Sequence, residues 1–323
     1  MTMTRRRVVG TAAASASLIF APHVLRAQTP PTLRYATLNA GVSVVFDEFL
    51  KAERFDRKNG LNIELASAYS SVPSYYSDFI AGSFDLSIGA WDSFADMHAK
   101  GVPVRLVSNF MTADIINIIA SANGPKTPQE LVGKPLAAII ATGSYSMCKS
   151  TLKRTHGIEL GTDVPIQNVP NPAQAVAMVV AKNVDAALSW EPNIIGAFAK
   201  QPDLRILFNV GHEYEQSQKR PLPYFGLALR QEAISRDPDI AKRVDATCRD
   251  LVAAVNADPA RAYGYAAPKL GLQVADMVKA HETGRLKFLH LSMADPRGRD
   301  AVTAAQAFIN PQKPPIPADF FAA

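Results

Sequence analysis

The chain lacks the residue patterns that mark the common catalytic and metal-binding classes. It has no G-x-G-x-x-G fingerprint, no Walker loop, no G-x-S-x-G elbow, no C-x-x-C and no H-E-x-x-H. The acidic residues are scattered, and no two are marked as an acid/base couple. Strong sequence signals for catalysis are therefore missing, although catalytic triads are not local in sequence.

Cysteine is also scarce. Cys148 and Cys248 are the only two among 323 residues, and a spacing of 100 residues is not a disulfide-scaffold pattern. We expect both to be buried thiols in different lobes, with a disulfide as the alternative.

The basic surplus is confined to the beginning of the chain. There are 34 Lys plus Arg and 29 Asp plus Glu, a formal net charge of +5. Residues 1–27 hold four arginines and no acidic residue, which leaves 30 basic and 29 acidic residues elsewhere. Nucleic-acid binding requires basic residues clustered toward the phosphates. The charge distribution therefore argues against a nucleic-acid partner.

Residues 1–27 have the pattern of an export signal. Residues 4–9 (TRRRVV) resemble the twin-arginine signature, and an Ala-rich apolar run follows over residues 8–20. This run is too short to be a permanent membrane anchor. Residues 25–27 (LRA) suit cleavage after Ala27. A basic N-terminus of a cytosolic protein is the alternative, but the order of these features favours a soluble periplasmic protein.

After this segment, short apolar runs alternate with helical patterns, which predicts an α/β class. Turn-rich residues 123–128 separate two such series. The predicted strands are residues 33–37, 61–68, 85–90, 104–110, 115–120, 134–140, 165–169, 185–190, 204–209 and 224–229. The pattern from Ile234 onward is mostly helical, with Pro238, Pro259 and Pro268 placing the helix boundaries.

The two series contain an internal echo. In each, a helix and a tight turn lead to an Asp, a short buried strand and a Trp, at Asp85 to Trp91 and at Asp185 to Trp190. These are the only tryptophans of the chain. Because open α/β sheets bind ligands outside the carboxyl ends of their strands, the echo predicts one site between two lobes. The alternative is that each tryptophan packs inside its own lobe.

Four segments carry a resemblance to a known family. They are residues 80–86 (IAGSFDL), 131–137 (LVGKPLA), 142–144 (TGS) and 183–192 (NVDAALSWEP). In this order and spacing they resemble the nitrate/sulfonate/taurine-type solute-binding proteins of ABC importers, which share their fold with binders of thiamine-pyrimidine precursors. The resemblance implies a periplasmic-binding-protein type II fold, with two α/β lobes, two crossover segments and a ligand cleft between the lobes.

The resemblance also implies how the chain divides. The crossings are expected near residues 111–116 and 221–225. Lobe 1 then combines residues 32–112 with 225–323, and lobe 2 is residues 113–224. Ligand binding is expected to close the cleft by hinge motion, and the closed form to dock on a membrane permease. We expect a monomer without a cofactor or metal that binds a small molecule and has no enzymatic activity.

The implied site includes the turn before a helix of the second lobe. Thr142, Gly143, Ser144, Tyr145 and Ser146 lie there, and a helix N-terminus offers free N–H groups to a sulfonate, a carboxylate or nitrate. The alternative role for Ser144 is an N-cap. Tyr145 departs from the hydroxyl-rich run of the taurine-like members.

The other candidate ligand-binding residues follow predicted strands or lie at the crossings: Asn39, Tyr69, Trp91, Asp92, Thr112, Trp190, Glu191 and Tyr224. The tryptophans would form apolar walls, and Asp92 would bind an amine or hydroxyl or else cap its helix. Glu191 is assigned a lobe-closing or structural role. No Arg or Lys falls in the predicted cleft loops, which weakens the case for bare nitrate and favours an organic solute.

The expected function is therefore a periplasmic solute-binding protein of an ABC importer, for a small sulfonate, carboxylate or heteroaromatic compound. One alternative is an enzyme on the same fold, similar to thiamine-pyrimidine synthase. Its cysteine-rich iron motif has no counterpart here, and the export signal also argues against it. The other alternative is a periplasmic ligand sensor.

Overall fold

The computed structural model describes residues 30–39 and 41–322. The expected export signal in residues 1–27 lies outside this part of the chain. Within it, two β-sheets are packed with helices, which confirms the predicted α/β class. In this part no helix is both long enough and apolar enough to cross a membrane.

The strands of the described residues are numbered in chain order. They are β1 (Thr32–Leu38), β2 (Asn62–Tyr69), β3 (Leu86–Ala90), β4 (Val104–Met111), β5 (Ile116–Ala120), β6 (Leu136–Ala138), β7 (Ile166–Asn168), β8 (Ala186–Trp190), β9 (Arg205–Asn209), β10 (Phe225–Arg230) and β11 (Phe288–Ser292).

The α-helices are α1 (Val42–Glu53), α2 (Phe55–Lys58), α3 (Val72–Ile80), α4 (Trp91–Ala99), α5 (Gly143–His156), α6 (Pro172–Val180), α7 (Asn193–Lys200), α8 (Val210–Gln218), α9 (Gln231–Arg236), α10 (Ile240–Ala257), α11 (Pro259–Leu270), α12 (Val274–Glu282) and α13 (Pro296–Ile309). Short 3₁₀ helices span Ala113–Ile115, Pro128–Leu131 and Ala318–Phe320.

Both sheets are mixed. The first has the order β11-β4-β10-β3-β1-β2, and the second has the order β7-β6-β8-β5-β9. Strand β1 is parallel to β2 and β3, and β6 is parallel to β7 and β8. The apolar strands β3 (LSIGA) and β5 (INIIA) are buried at every position, as expected for strands covered on both faces.

The chain passes between the sheets twice, and the two passages lie side by side. It leaves the first sheet between β4 and β5 and returns between β9 and β10. Thr112 of the first passage pairs with Pro223 of the second in an antiparallel bridge. The Tyr224 N–H donates to the Met111 carbonyl at 2.9 Å. Paired connections of this kind are suited to act as a hinge between two bodies.

Three features of the chain differ from the sequence predictions. Residues 212–220, between the predicted strands 204–209 and 224–229, lie mostly in a helix, α8, whose Tyr214 is buried against Phe308 with the ring centroids 4.8 Å apart. Pro268 lies inside the last turn of α11, which ends at Leu270, rather than at a helix boundary. Strand β11 falls in the region predicted to be mostly helical, since most of its residues are only half-buried and its apolar signal is short.

Both cysteines are free and buried, as expected. Cys148 lies on α5 and Cys248 on α10, and burial raises the pKa of each thiol above its ordinary value. Neither thiol is therefore expected to be reactive in the folded protein.

Candidate functional site

A cavity of about 70 Å³ lies between the two sheets, at the carboxyl ends of their parallel strands. Strands β1, β3 and β8 end at Leu38, Ala90 and Trp190, and all three residues line the cavity. Residues 141–144, which connect β6 to α5, form another part of its wall. This is the edge at which open α/β sheets bind ligands.

The cavity wall consists of apolar and hydroxyl-bearing residues. None of the lining residues in the described part of the chain is Asp, Glu, Lys, Arg or His. The hydroxyl groups come from Ser43, Tyr76, Ser93, Thr142, Ser144 and Tyr224. Across the described residues, no group of three or more His, Cys, Asp and Glu side chains is arranged to hold a metal ion. The wall is therefore suited to a ligand with an apolar body and a few polar atoms.

Thr142 caps the N-terminus of α5. Its Oγ1 accepts from the Tyr145 N–H at 3.3 Å and donates to the Ile139 carbonyl at 2.9 Å. Ser144, the alternative cap, is fully buried, and its hydroxyl donates to Thr142 Oγ1 at 3.2 Å. The cap is thus Thr142, because an N-cap precedes the first helical residue.

Tyr145 and Ser146 do not line the cavity. Tyr145 is buried, and its hydroxyl lies near Gly161. Of the five residues predicted at this turn, Thr142, Gly143 and Ser144 reach the cavity.

Two tyrosines contribute to the wall. Tyr224 precedes β10, stacks on Phe225 with a centroid distance of 4.3 Å, and directs its hydroxyl toward Ser144. Tyr76 projects from α3 over Gly89, where any larger residue would clash with its hydroxyl. Burial raises the pKa of Tyr76 to about 12 and that of Tyr224 further, so both hydroxyls are neutral hydrogen-bonding groups at neutral pH.

Tyr76 was not among the residues predicted from the sequence, because those residues were placed in loops after strands or at the crossings. It lies inside a helix, as does Ser93. The pair Tyr75-Tyr76 is the one local signal, and Tyr75 is instead a core residue whose hydroxyl accepts from the Ile88 N–H at 2.8 Å.

The two tryptophans of the internal echo have different environments. Trp190 is partly exposed and lines the cavity. Trp91 is fully buried, and its Nε1–H donates to the Pro223 carbonyl at 2.8 Å. Trp91 therefore fixes the start of α4 to the second crossing and does not form the apolar wall assigned to it.

Asp92 lies immediately outside the cavity. It is 6% exposed, and its Oδ1 accepts from the Ser93 N–H at 3.0 Å. Its carboxylate lies against Gly143, where an added Cβ would be 2.5 Å from Oδ1. Burial, and secondarily the neighbouring Asp96, raise the pKa of Asp92 to about 6.

Three further candidates make contacts away from the cavity. The Tyr69 hydroxyl donates to Asp78 Oδ2 at 2.7 Å, and Thr112 Oγ1 donates to Asp114 Oδ2 at 2.5 Å. Glu191 is fully buried beside the cavity residue Trp190, but its carboxylate is directed elsewhere.

Asn39 lines a second, larger cavity of about 460 Å³. This cavity is bounded by α6 and α7 and by the end of α11, and it shares Gly41 with the smaller one. Its other lining residues are mostly Ala, Val and Gly, with Lys200 and Lys269 among them. The two cavities are neighbouring parts of one cleft.

Comparison with known proteins gives a family-model match over part of the chain and a similar fold over most of it. Residues 55–210 match the family model described as "NMT1/THI5 like". No curated protein sequence matches the chain. The structure is similar to the periplasmic aliphatic sulphonate binding protein SsuA from Escherichia coli, with a TM-score of 0.70 and 17% identity, covering 89% of this chain and 90% of that one.

Two other sulfonate-related structures are similar. The alkanesulfonate-binding protein SsuA from Xanthomonas axonopodis pv. citri gives a TM-score of 0.68 at 18% identity, covering 85% of this chain and 90% of that one. A putative sulfonate-binding SsuA from Methylobacillus flagellatus KT gives 0.65 at 18%, covering 90% of each chain. The chain is thus NMT1/THI5-like in the sequence of residues 55–210, and it has the fold of the periplasmic solute-binding proteins.

Proposed function

We propose that this protein is the periplasmic solute-binding protein of an ABC importer. It captures a small organic solute, of the sulfonate, carboxylate or heteroaromatic classes, and delivers it to a membrane permease. The observation that carries the proposal is the position of the cavity between the carboxyl ends of strands from both sheets. Two of the similar structures are sulfonate-binding proteins, which supports the same class of function.

The proposed mode of action is hinged closure of two lobes. Lobe 1 consists of residues 32–112 and 225–323, and lobe 2 consists of residues 113–224. The cavity of about 70 Å³ is well below the roughly 300–1,000 Å³ of ordinary ligand pockets. A solute therefore enters when the lobes separate, and the paired passages between the sheets are where the backbone would bend.

The proposed contacts use the groups that line the cavity. An apolar or ring portion would pack on Trp190 and on the stacked Tyr224 and Phe225. Polar atoms of the solute would bond to the hydroxyls of Tyr76, Ser93, Thr142, Ser144 and Tyr224. In the smaller cavity, none of the described lining residues is a carboxylate, histidine or lysine, which fits binding better than acid/base catalysis.

A thermal-shift screen tests the proposal. The exported protein would be unfolded and refolded to remove bound solute, then screened with sulfonates, nitrate, aromatic carboxylates, pyrimidines and amino acids. A ligand at 100 times its dissociation constant adds about 2.7 kcal/mol to the free energy of unfolding. No shift from any member would overturn the proposed solute classes.

A matched pair of variants locates the site. Trp190→Ala removes a cavity wall and should weaken binding of the solute by about tenfold or more. Tyr265→Ala removes an aromatic ring that is 41% exposed and outside both cavities, and it should leave affinity unchanged. Equal affinities for Trp190→Ala and the unmodified protein would contradict the proposed site.

A further inference from the structure

The carboxylate of Asp92, which belongs to the same side of the molecule as the first sheet, faces the N-terminus of α5. Asp92 follows β3, whereas Gly143 begins α5 after β6 of the second sheet. A Cβ on Gly143 would be 2.5 Å from Asp92 Oδ1, 3.1 Å from Oδ2 and 3.0 Å from the Ala90 Cβ. Glycine at this position therefore allows the carboxylate to approach the helix end.

The Asp92 carboxylate has no basic partner among the described residues. It makes no ion pair within this part of the chain, and its hydrogen bond comes from the adjacent Ser93 N–H. Asp96 lies one turn away, and Lys313, the cation that opposes the rise in the pKa of Asp92, is bonded to Asp96 at 2.5 Å. The Tyr76 and Tyr224 hydroxyls near it are neutral.

The N-terminal ends of α4 and α5 are thus the main positive partners of this charge. A solute anion bound at the start of α5 would lie next to Asp92, and like charges at such a distance repel strongly in a buried site. A solute cation at the same place would be attracted.

We propose that Asp92 determines the specificity of the solute site, by excluding anions from the N-terminus of α5 and favouring a solute whose inner end carries an amidinium or ammonium group. This inference rests on the proposed function and narrows its solute class. It also replaces the expectation that residues 142–146 bind a sulfonate, carboxylate or nitrate, because the protein's own carboxylate stands at that helix end. Specificity arises here from a repulsive element, as it does at many binding sites.

Three small molecules of similar shape but different charge test the inference. Benzamidine, benzamide and benzoate share a ring and a planar substituent, and they differ in charge. Dissociation constants would be measured by calorimetry near neutral pH for the unmodified protein, Asp92→Asn and the control Asp96→Asn. The unmodified protein and Asp96→Asn should bind benzamidine about tenfold or more tightly than benzoate, and Asp92→Asn should lose most of this preference.

A second measurement needs no variant. Affinities of the unmodified protein would be compared between pH about 5 and about 7.5, with Asp96 and Lys313 as the charged groups that face Asp92. Because the pKa of Asp92 is about 6, the preference of the unmodified protein for benzamidine should shrink toward the lower pH, where Asp92 is neutral. Both charged probes retain their charges over this range.

The outcomes separate this inference from the proposed function. Equal affinity of the unmodified protein for benzoate and benzamidine would overturn the inference, as would an unchanged preference in Asp92→Asn. Failure of all three probes to bind would also overturn it. In each case, a thermal shift from another member of the wider panel would leave the proposed function standing.

Discussion

The Glu191 carboxylate is paired with the Arg285 guanidinium, although Glu191 is fully buried. Glu191 directly follows β8 of the second sheet, and Arg285 lies just before β11 of the first. The second carboxylate oxygen accepts from the Ile195 N–H at 3.0 Å. Burial raises the pKa of Glu191, and Arg285 opposes the rise by stabilising the charged form. This ion pair joins the two halves of the molecule.

Arg285→Met is expected to be strongly destabilising. It leaves a buried carboxylate without its cation, which costs about 3–5 kcal/mol in comparable cases. The control is Arg297→Met, which breaks an ion pair whose arginine side chain is 89% exposed and should leave the free energy of unfolding nearly unchanged. Urea unfolding measures both. Equal effects of the two variants would contradict the structural role of the Glu191–Arg285 pair.

Gly143→Ala is expected to destabilise the protein by about 1–3 kcal/mol, because the new Cβ overlaps Asp92 and Ala90. Gly264→Ala is the control. Gly264 lies inside α11 with no atom within 4 Å of an added Cβ, so alanine should stabilise the protein by about 0.5–1 kcal/mol. In a double-mutant cycle, Asp92→Ala should relieve part of the cost of Gly143→Ala. Strictly additive effects would argue against the Asp92–Gly143 contact.

Asp92 is expected to make stability depend on pH. Its pKa in the folded protein is about 6, compared with an ordinary value of 3.8, so the folded state holds this proton more tightly than the unfolded state. The contribution of Asp92 to stability therefore falls by about 3 kcal/mol as pH rises from about 4 to about 6, and this contribution is constant above that range.

Asp92→Asn should remove that part of the pH dependence, whereas Asp96→Asn should preserve it. The measurement is the free energy of unfolding across the pH range for the three proteins. Parallel curves for Asp92→Asn and the unmodified protein would show that Asp92 titrates normally.

Fluorescence should distinguish the two tryptophans. Trp190 lines the cavity, so a bound solute should change its emission, whereas Trp91 is fully buried and bonded to Pro223. Because the chain has only these two tryptophans, single-tryptophan variants give separate signals. Trp91→Phe should keep the change on solute addition, and Trp190→Phe should abolish it. The opposite result would place the solute near Trp91.

The sequence predicted the alternation of strands and helices well, because short apolar runs such as β3 and β5 are buried on both sides. It did not predict β11, a short, half-buried edge strand whose pairing with β4 is a long-range contact. Local pattern contains no information about such a partner.

At the site, the sequence identified the loops after strands but not the direction of each side chain. Trp91 and Trp190 occupy corresponding places in the internal echo, yet only Trp190 faces the cavity. Tyr76 was missed because it reaches the cavity from within α3. These differences arise from the packing of the two sheets against each other, which a repeated local pattern does not specify.

The second crossing also forms part of the cavity wall. Tyr224 lines the cavity, and its backbone N–H is bonded to Met111 of the first crossing. A solute bound there lies beside the fulcrum of the proposed motion rather than at its far rim. A small displacement beside a fulcrum produces a large displacement at the far end of a lever. Contacts with a few atoms of solute would therefore move the outer edges of both lobes much farther than they move the residues beside the crossing.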